Sequence, residues 1–368
     1  MKKRGLILSL CLLASALLIS ALAAGGDASD PLISLSYLNT SYTSTVETAI
    51  SKRLDASDQT ILSSAGSGTA PSSGTVSTSG SWQEIRLKSG DQLLGTTGLF
   101  VMPLAGKVQA SFSTGTVVDV TTGSPIASGA VLTANHRYLV AEDTSAVFTV
   151  SSPTAVVEHQ GSNSLSYSDS VDYNAMATAL KQMRLFKGSF TAYGDGYDLE
   201  VAPTRLQALI MFIRVLGEEN AALSWSGSLP FKDLTPGSDA AKYVGYAYEH
   251  GYTNGYTATA WKPAQTVNVY QYTEFMLRAL GYSSTANTNL ADTMERAVAC
   301  NLLTSVEAAG LKTQTFLRAQ LVYISFRSLD ATLSGQTATL QEALISKGIF
   351  TAAEADAAQA EVSTARIF

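Results

Sequence analysis

Two periodicities divide the chain. Between residues 82 and 160, short apolar runs alternate with turn signals: 84–87, 98–104, 107–112, 117–120, 130–133, 137–141, 146–150 and 155–158, punctuated by Gly115, Gly123 and Gly129. Runs this short and this evenly spaced predict strands, and they point to a small all-β domain, a sandwich or a barrel. From Val171 onward the apolar positions recur at helical spacing. The pattern predicts helices over 171–187 and 203–217, 238–250 and 269–281, 290–302 and 315–330, then 337–347 and 351–363. Thr304 with Glu307 and Thr351 with Glu354 have capping-box spacing, and Gly348 suits a helix C-terminus.

The N-terminal third reads differently. Lys2, Lys3 and Arg4 precede an apolar run from Leu6 to Leu22, and Ala21-Leu22-Ala23 supplies a small-x-small cleavage pattern. This is the signature of a secretory signal over 1–24, with an uncleaved anchor as the alternative. Residues 25–62 contain a helical segment, with Val46, Ile50, Leu54 and Ile61 roughly on one face. Residues 63–81 are rich in Ser, Gly and Thr and read as a linker. No later stretch is apolar enough to span a membrane.

Charge and cysteines narrow the classes. Removing Lys2, Lys3 and Arg4 leaves 21 basic against 30 acidic residues, a formal charge of about -9. With no Lys/Arg cluster, a nucleic-acid partner is not expected. Cys11 leaves with the signal, and Cys300 stands alone in an apolar helical context, so it reads as a core thiol. His136, His159 and His250 lack metal-ligand spacing. Asp195, Asp198 and Glu200 lack the spacing of a calcium loop. No nucleophile elbow, P-loop or dinucleotide fingerprint occurs, so no catalytic residue, cofactor or metal is assigned.

Register comparison gives the main lead. The helices predicted at 203–217, 269–281 and 315–330 align on Arg214, Arg278 and Arg327. Nine residues upstream lie Arg205, Val269 and Arg318, followed by Gln207, Gln271 and Gln320. Units of this size bury little core alone, which predicts an array sharing one core. Phe231-Lys232-Asp233, Thr253-Asn254-Gly255, Trp261-Lys262-Pro263 and Thr204-Arg205 together resemble the S-layer homology (SLH) family, over residues 165–332. The resemblance divides the helical region into units at 165–228, 229–284 and 285–332, an all-α SLH-like repeat array behind the β-rich domain, with a helical hairpin at 333–368.

The resemblance implies an exported, non-catalytic protein held on the cell wall. Its implied partner is an anionic secondary cell-wall polysaccharide, often carrying a pyruvyl ketal. The implied ligand-binding residues are Arg205, Arg318, Gly255, Trp261 and Asp233. Chemistry fits the arginines, because a planar guanidinium donates two bonds to one carboxylate and a helix N-terminus favours an anion. Gly255 would let a ligand approach the backbone, and Trp261 would stack on a sugar or pack as a corner. Asp233 suits a loop cap as well as a contact. Val269 removes one arginine and puts one groove in doubt. Two other readings stay open: a helical scaffold for a protein partner with glycan binding lost, and a wall-modifying enzyme with its site in the β-rich region.

Overall fold

The computed structural model describes residues 77–188, 197–283 and 290–368. The expected signal, N-terminal helix and most of the linker lie outside the described residues. The strands are β1 (Ser77–Lys88), β2 (Gln92–Thr96), β3 (Phe100–Ala105), β4 (Val108–Phe112), β5 (Thr116–Asp119), β6 (Ser124–Pro125), β7 (Tyr138–Ala141), β8 (Ser145–Val150) and β9 (Thr154–Ser166). They alternate as half-buried strands must. In β8, Ala146, Phe148 and Val150 point inward while the residues between them are more exposed. All the expected runs fall on strands except 130–133, where only Val131 forms an isolated bridge, to Gln109.

The sheet corrects the expected architecture. Sandwich and barrel both fail: the described strands form one open, curled antiparallel sheet, a half-barrel in which the end strands β4 and β6 do not pair. The long β9 is its spine. β2 and β3 run end to end along β9, with Gln92 opposite Ser166, Phe100 opposite Gln160 and Ala105 opposite Val156. From that kinked line one arm continues through β8 to β4, the other through β7 to β5 and β6. Leu99 sits buried at the kink. A Cβ on Gly95 would collide with its side chain, so the bend needs glycine there. The segment after β6 lies along β4, through Ala110 N–H to the Ala130 carbonyl (3.0 Å) and Leu132 N–H to the Val108 carbonyl (2.8 Å). This covers an edge that would otherwise offer unpaired backbone.

The sheet passes to the helices through one buried carboxylate. Asp91 is almost fully buried. Its Oδ1 accepts from Lys88 Nζ (2.9 Å), Ser168 N (2.8 Å) and Ser168 Oγ (3.1 Å), and its Oδ2 from Lys88 N (3.0 Å). The β1–β2 turn is thereby tied to the segment leaving β9.

The helices are α1 (Tyr173–Gln182), α2 (Arg205–Val215), α3 (Glu219–Leu223), α4 (Asp239–Glu249), α5 (Val269–Ala279), α6 (Thr293–Ala299), α7 (Ser305–Thr313), α8 (Arg318–Leu329), α9 (Leu340–Ser346) and α10 (Ala352–Gln359). Each predicted helical stretch contains one of them; α3 and α7 are additional. Thr304 and Thr351 cap α7 and α10 in capping boxes. Gly348 takes a left-handed conformation at the end of α9, and Asn301 does the same after α6.

The expected repeat array is not what these helices form. One continuous core runs from Val171 to Ala358, and α1 packs against both α8 and α10. The three aligned helix starts share a capping pattern, but their surroundings differ, as shown below. A local sequence register recurs here without three like units.

Glu307 lies in the first turn of α7 and is fully buried. It accepts hydrogen bonds from Tyr323 Oη, Thr304 N (2.7 Å) and Arg366 Nη1 (2.8 Å). Burial raises the carboxyl pKa, but these donors outweigh it and hold the group below its ordinary 4.5.

Two predictions follow from these carboxylates. Asp91→Ala takes the carboxylate acceptor from Lys88 Nζ, Lys88 N and Ser168 N, while the Ser168 hydroxyl keeps the Ser89 carbonyl, and is expected to cost about 3 kcal/mol in urea unfolding; a loss under about 1 kcal/mol would mean the junction is held otherwise. Glu307 has a depressed folded pKa, so its contribution is complete above about pH 4.5 and is lost as pH falls through the lower folded value. Thermal midpoints measured from pH 6 to pH 2 should therefore fall less steeply for Glu307→Gln than for the wild type.

Candidate functional site

The site grows out of how three helices begin. At α2, Thr204 Oγ1 accepts from Gln207 N (3.2 Å), and Gln207 Oε1 accepts from Thr204 N (2.9 Å). Asn268 and Gln271 do the same for α5, at 3.0 and 3.1 Å. At α8 only the second bond exists, from Leu317 N to Gln320 Oε1 (2.9 Å). The first helical N–H groups are also taken. Arg205 N donates to the Gln265 carbonyl (2.7 Å) and Leu206 N to that of Pro263 (3.2 Å). Arg318 N donates to Val201 (2.9 Å) and Ala319 N to Leu199 (3.0 Å). The backbone donors that a helix start offers an anion are thus occupied by loops. Any anion recognition falls to side chains.

Arg205, Gly255, Trp261 and Asp233 converge on one place. Arg205 Nε donates to the Trp261 carbonyl (3.0 Å) and Nη2 to that of Asn254 (3.4 Å). Its guanidinium lies 4.8 Å from the centre of the Trp261 ring. Among the described residues no carboxylate forms an ion pair with it. Burial pulls its pKa down, opposed by the charges of Asp233 and Tyr256, and a guanidinium stays protonated throughout.

Trp261 is 1% exposed and its Nε1 donates to Thr253 Oγ1 (3.1 Å). It is the packed corner of the two readings, a base for Arg205. Asp233 holds that corner. Its carboxylate accepts from Trp261 N (3.0 Å) and Lys262 N (2.7 Å). Burial raises its pKa, yet these N–H groups and the Arg205 charge outweigh that and hold it low. Gly255 has an ordinary φ. It is glycine because a Cβ would meet the Thr257 carbonyl and the Phe231 ring.

Arg205, Gly255 and Trp261, with Asp233 behind them, border a pocket of about 290 Å³ that also takes in Tyr252, Tyr256, Gln271 and Arg278. Arg278 Nη1 donates to the Tyr252 carbonyl (3.2 Å). Sequence register placed Arg278 at a helix end, facing solvent or an inter-repeat salt bridge, and did not mark Tyr256; the fold brings both to the pocket of Arg205. The pocket's one carboxylate, Glu274, is buried and already engaged by Arg296 (2.6 Å), Thr293 (2.9 Å) and Ser283. The pocket is therefore locally basic within an acidic chain.

Arg318 lies elsewhere, in a smaller pocket of about 170 Å³ with Phe186, Gln207 and Arg214. It has the same helical offsets but a different charge balance. Arg318 is 5% exposed and pairs with Asp198 (3.4 Å), and Arg214 pairs with Glu219 (2.9 Å). At the third start, Val269 is buried in the core. The corresponding late arginine, Arg327, donates to the carbonyls of Thr364 (3.3 Å) and Ala365 (2.9 Å). Of the histidines, His136 Nδ1 bonds buried Asp119 (2.8 Å) in the sheet, His159 is buried beside Asn163, and His250 stacks on Tyr246.

No family model matches the chain, and no curated protein matches it. Among solved structures, a 4-keto-6-deoxy sugar epimerase from Streptomyces spheroides is similar at 23% identity over 27% of this chain, with a TM-score of 0.12. The chain covers 46% of that enzyme's length.

Proposed function

We propose that this chain is an exported, non-catalytic protein that attaches non-covalently to an anionic cell-wall polysaccharide, and that the Arg205–Arg278 pocket is the attachment site. One observation carries the reading: two guanidiniums share a pocket in which Arg205 is held by backbone carbonyls and a ring rather than by a carboxylate. Carbonyls position a guanidinium without neutralising it, so its charge remains for a ligand. The polymer class comes from the sequence resemblance to the SLH family. The Arg318 pocket is a poorer candidate, because Asp198 already balances its cation. That balanced pocket and the occupied third start favour the scaffold reading in the rest of the helical region, with glycan contact confined to one pocket.

The test is sedimentation with purified Gram-positive cell walls, intact or stripped of secondary polymer. Arg205→Ala is expected to lose about 2 kcal/mol of binding, roughly thirtyfold, while costing only about 1 kcal/mol of stability for its lost carbonyl bonds, so the variant stays folded. Arg318→Ala is expected to do the reverse, costing about 3 kcal/mol of stability by leaving Asp198 unpaired. Equal sedimentation of wild type and Arg205→Ala, or of intact and stripped walls, would sink the proposal and move the search to a protein partner.

A further inference from the structure

Trp261 cannot serve as a sugar platform, yet the pocket has an aromatic ring that can. Tyr256 stands at the mouth and is 55% exposed. The ammonium of Lys262 lies over the ring, 3.6 Å from its centre. A tyrosine this exposed usually samples several rotamers, but here its backbone and that of the lysine covering it are both held. On one side, Gly255 is wedged against Phe231. On the other, Tyr256 N and Thr257 N both donate to the Ala260 carbonyl (2.8 and 3.0 Å), closing a tight loop.

Lys262 is held as firmly. It has a left-handed backbone, φ 60°, which disfavours a side chain. Asp233 secures that conformation through the Lys262 N–H (2.7 Å), and Pro263 follows. The strain is kept by a well-made local structure, and its visible result is a lysine laid across a tyrosine at a pocket mouth.

We infer that Tyr256, braced by Lys262, is the residue that reads the ligand's ring. This rests on the anionic-glycan reading of the same pocket. A sugar presents an apolar C–H face as well as its hydroxyls. With its anionic group at Arg205 and Arg278, such a ring lies at the mouth, where Tyr256 offers an aromatic surface. Arg205 and Arg278 then select for charge, and Tyr256 selects a cyclic sugar over an acyclic anion of equal charge. Tyr256 is thus a specificity residue whose contribution comes from the ring and not from its hydroxyl. Because Lys262 draws on the ring electrostatically, it also keeps the platform from folding away.

The experiment uses the full chain and polymer released from the same walls, with poly-glutamate as an acyclic anionic probe. Tyr256→Ala should weaken binding of the wall polymer about tenfold at an unchanged unfolding midpoint, and Tyr256→Phe should restore it to within about twofold. Neither change should alter binding of poly-glutamate. The Tyr256→Ala loss should be the same at about 0.05 and 0.5 M salt, whereas the Arg205→Ala loss should shrink as salt rises. If Arg205→Ala weakens binding and Tyr256→Ala does not, the ring role is wrong and the anion site stands. If Tyr256→Phe fails to restore binding, the hydroxyl is the contact and the inference falls. If Arg205→Ala changes nothing, the underlying reading falls and this inference with it.

Discussion

A helix begins with backbone N–H groups that have no partner inside it, and in this protein the helical half is organised by where those groups find acceptors. The glutamines at 207, 271 and 320 turn their side chains back onto the residue before each helix, and so fix where it starts. The next donors, at Arg205 and Leu206, and at Arg318 and Ala319, reach carbonyls of distant loops. Each of these bonds settles two matters. It satisfies a donor that would be costly to bury unpaired, and it places a loop against the side chain of the first helical residue. The loop from Trp261 to Gln265 meets Arg205 for that reason. Without it the pocket would have no wall.

The same constraint explains which parts of the fold were legible in sequence. Caps are local, so Thr304, Thr351, Gly348 and the three glutamines could be read from spacing, and the helices fell where the pattern put them. Alternation in the sheet is local too, and the apolar runs identified most strands. How the sheet closes is not local. It depends on β2 and β3 lying end to end on β9 around the Leu99 kink, and nothing in the period-2 pattern distinguishes that from two sheets or a closed barrel. The chain after the short β6 does reach β4, but as an irregular segment with one isolated bridge, so no strand ladder joins the two arms. The repeat array failed for a related reason. Matching helix starts are a statement about caps, whereas an array requires matching neighbours, and the neighbours of Arg205, Val269 and Arg318 are a carbonyl-lined corner, the core and an Asp.

The site was half legible. Arg205 was marked by its place at a helix start, and Asp233 by its place before a helix, but their roles could not be separated. Asp233 looks outward in sequence and turns out to spend its carboxylate on backbone N–H groups. Trp261 has the residue type of a sugar platform and the burial of a core residue. Tyr256 went unmarked because it sits in a polar loop, and Arg278 was marked only as a register position because it ends an amphipathic helix. Both positions read as solvent-facing until the chain folds back between Tyr252 and Trp261.

The charge arrangement reconciles an acidic protein with the acidic partner proposed for it. A formal charge of -6 would repel an anionic polymer at long range, but at physiological salt that repulsion is screened beyond about 8 Å. What acts at contact is the local balance. In the Arg318 pocket the cations are matched: Asp198 takes Arg318, and Glu219 takes Arg214. In the Arg205 pocket the matching has moved outward. Arg296 satisfies Glu274 from behind, and Asp233 satisfies the loop, which leaves Arg205 held by carbonyls and a ring at the pocket. Two pockets with the same helical offsets therefore differ in how the first helical arginine is held: Arg318 is ion-paired with Asp198, whereas Arg205 bonds carbonyls and feels Asp233 only through its charge. An internal carboxylate stabilises a cation permanently and competes with any external anion. A carbonyl orients the cation and leaves its charge available. That difference, rather than the presence of arginine at a helix start, separates the pocket equipped to take an anionic ligand from the one that is closed by its own structure.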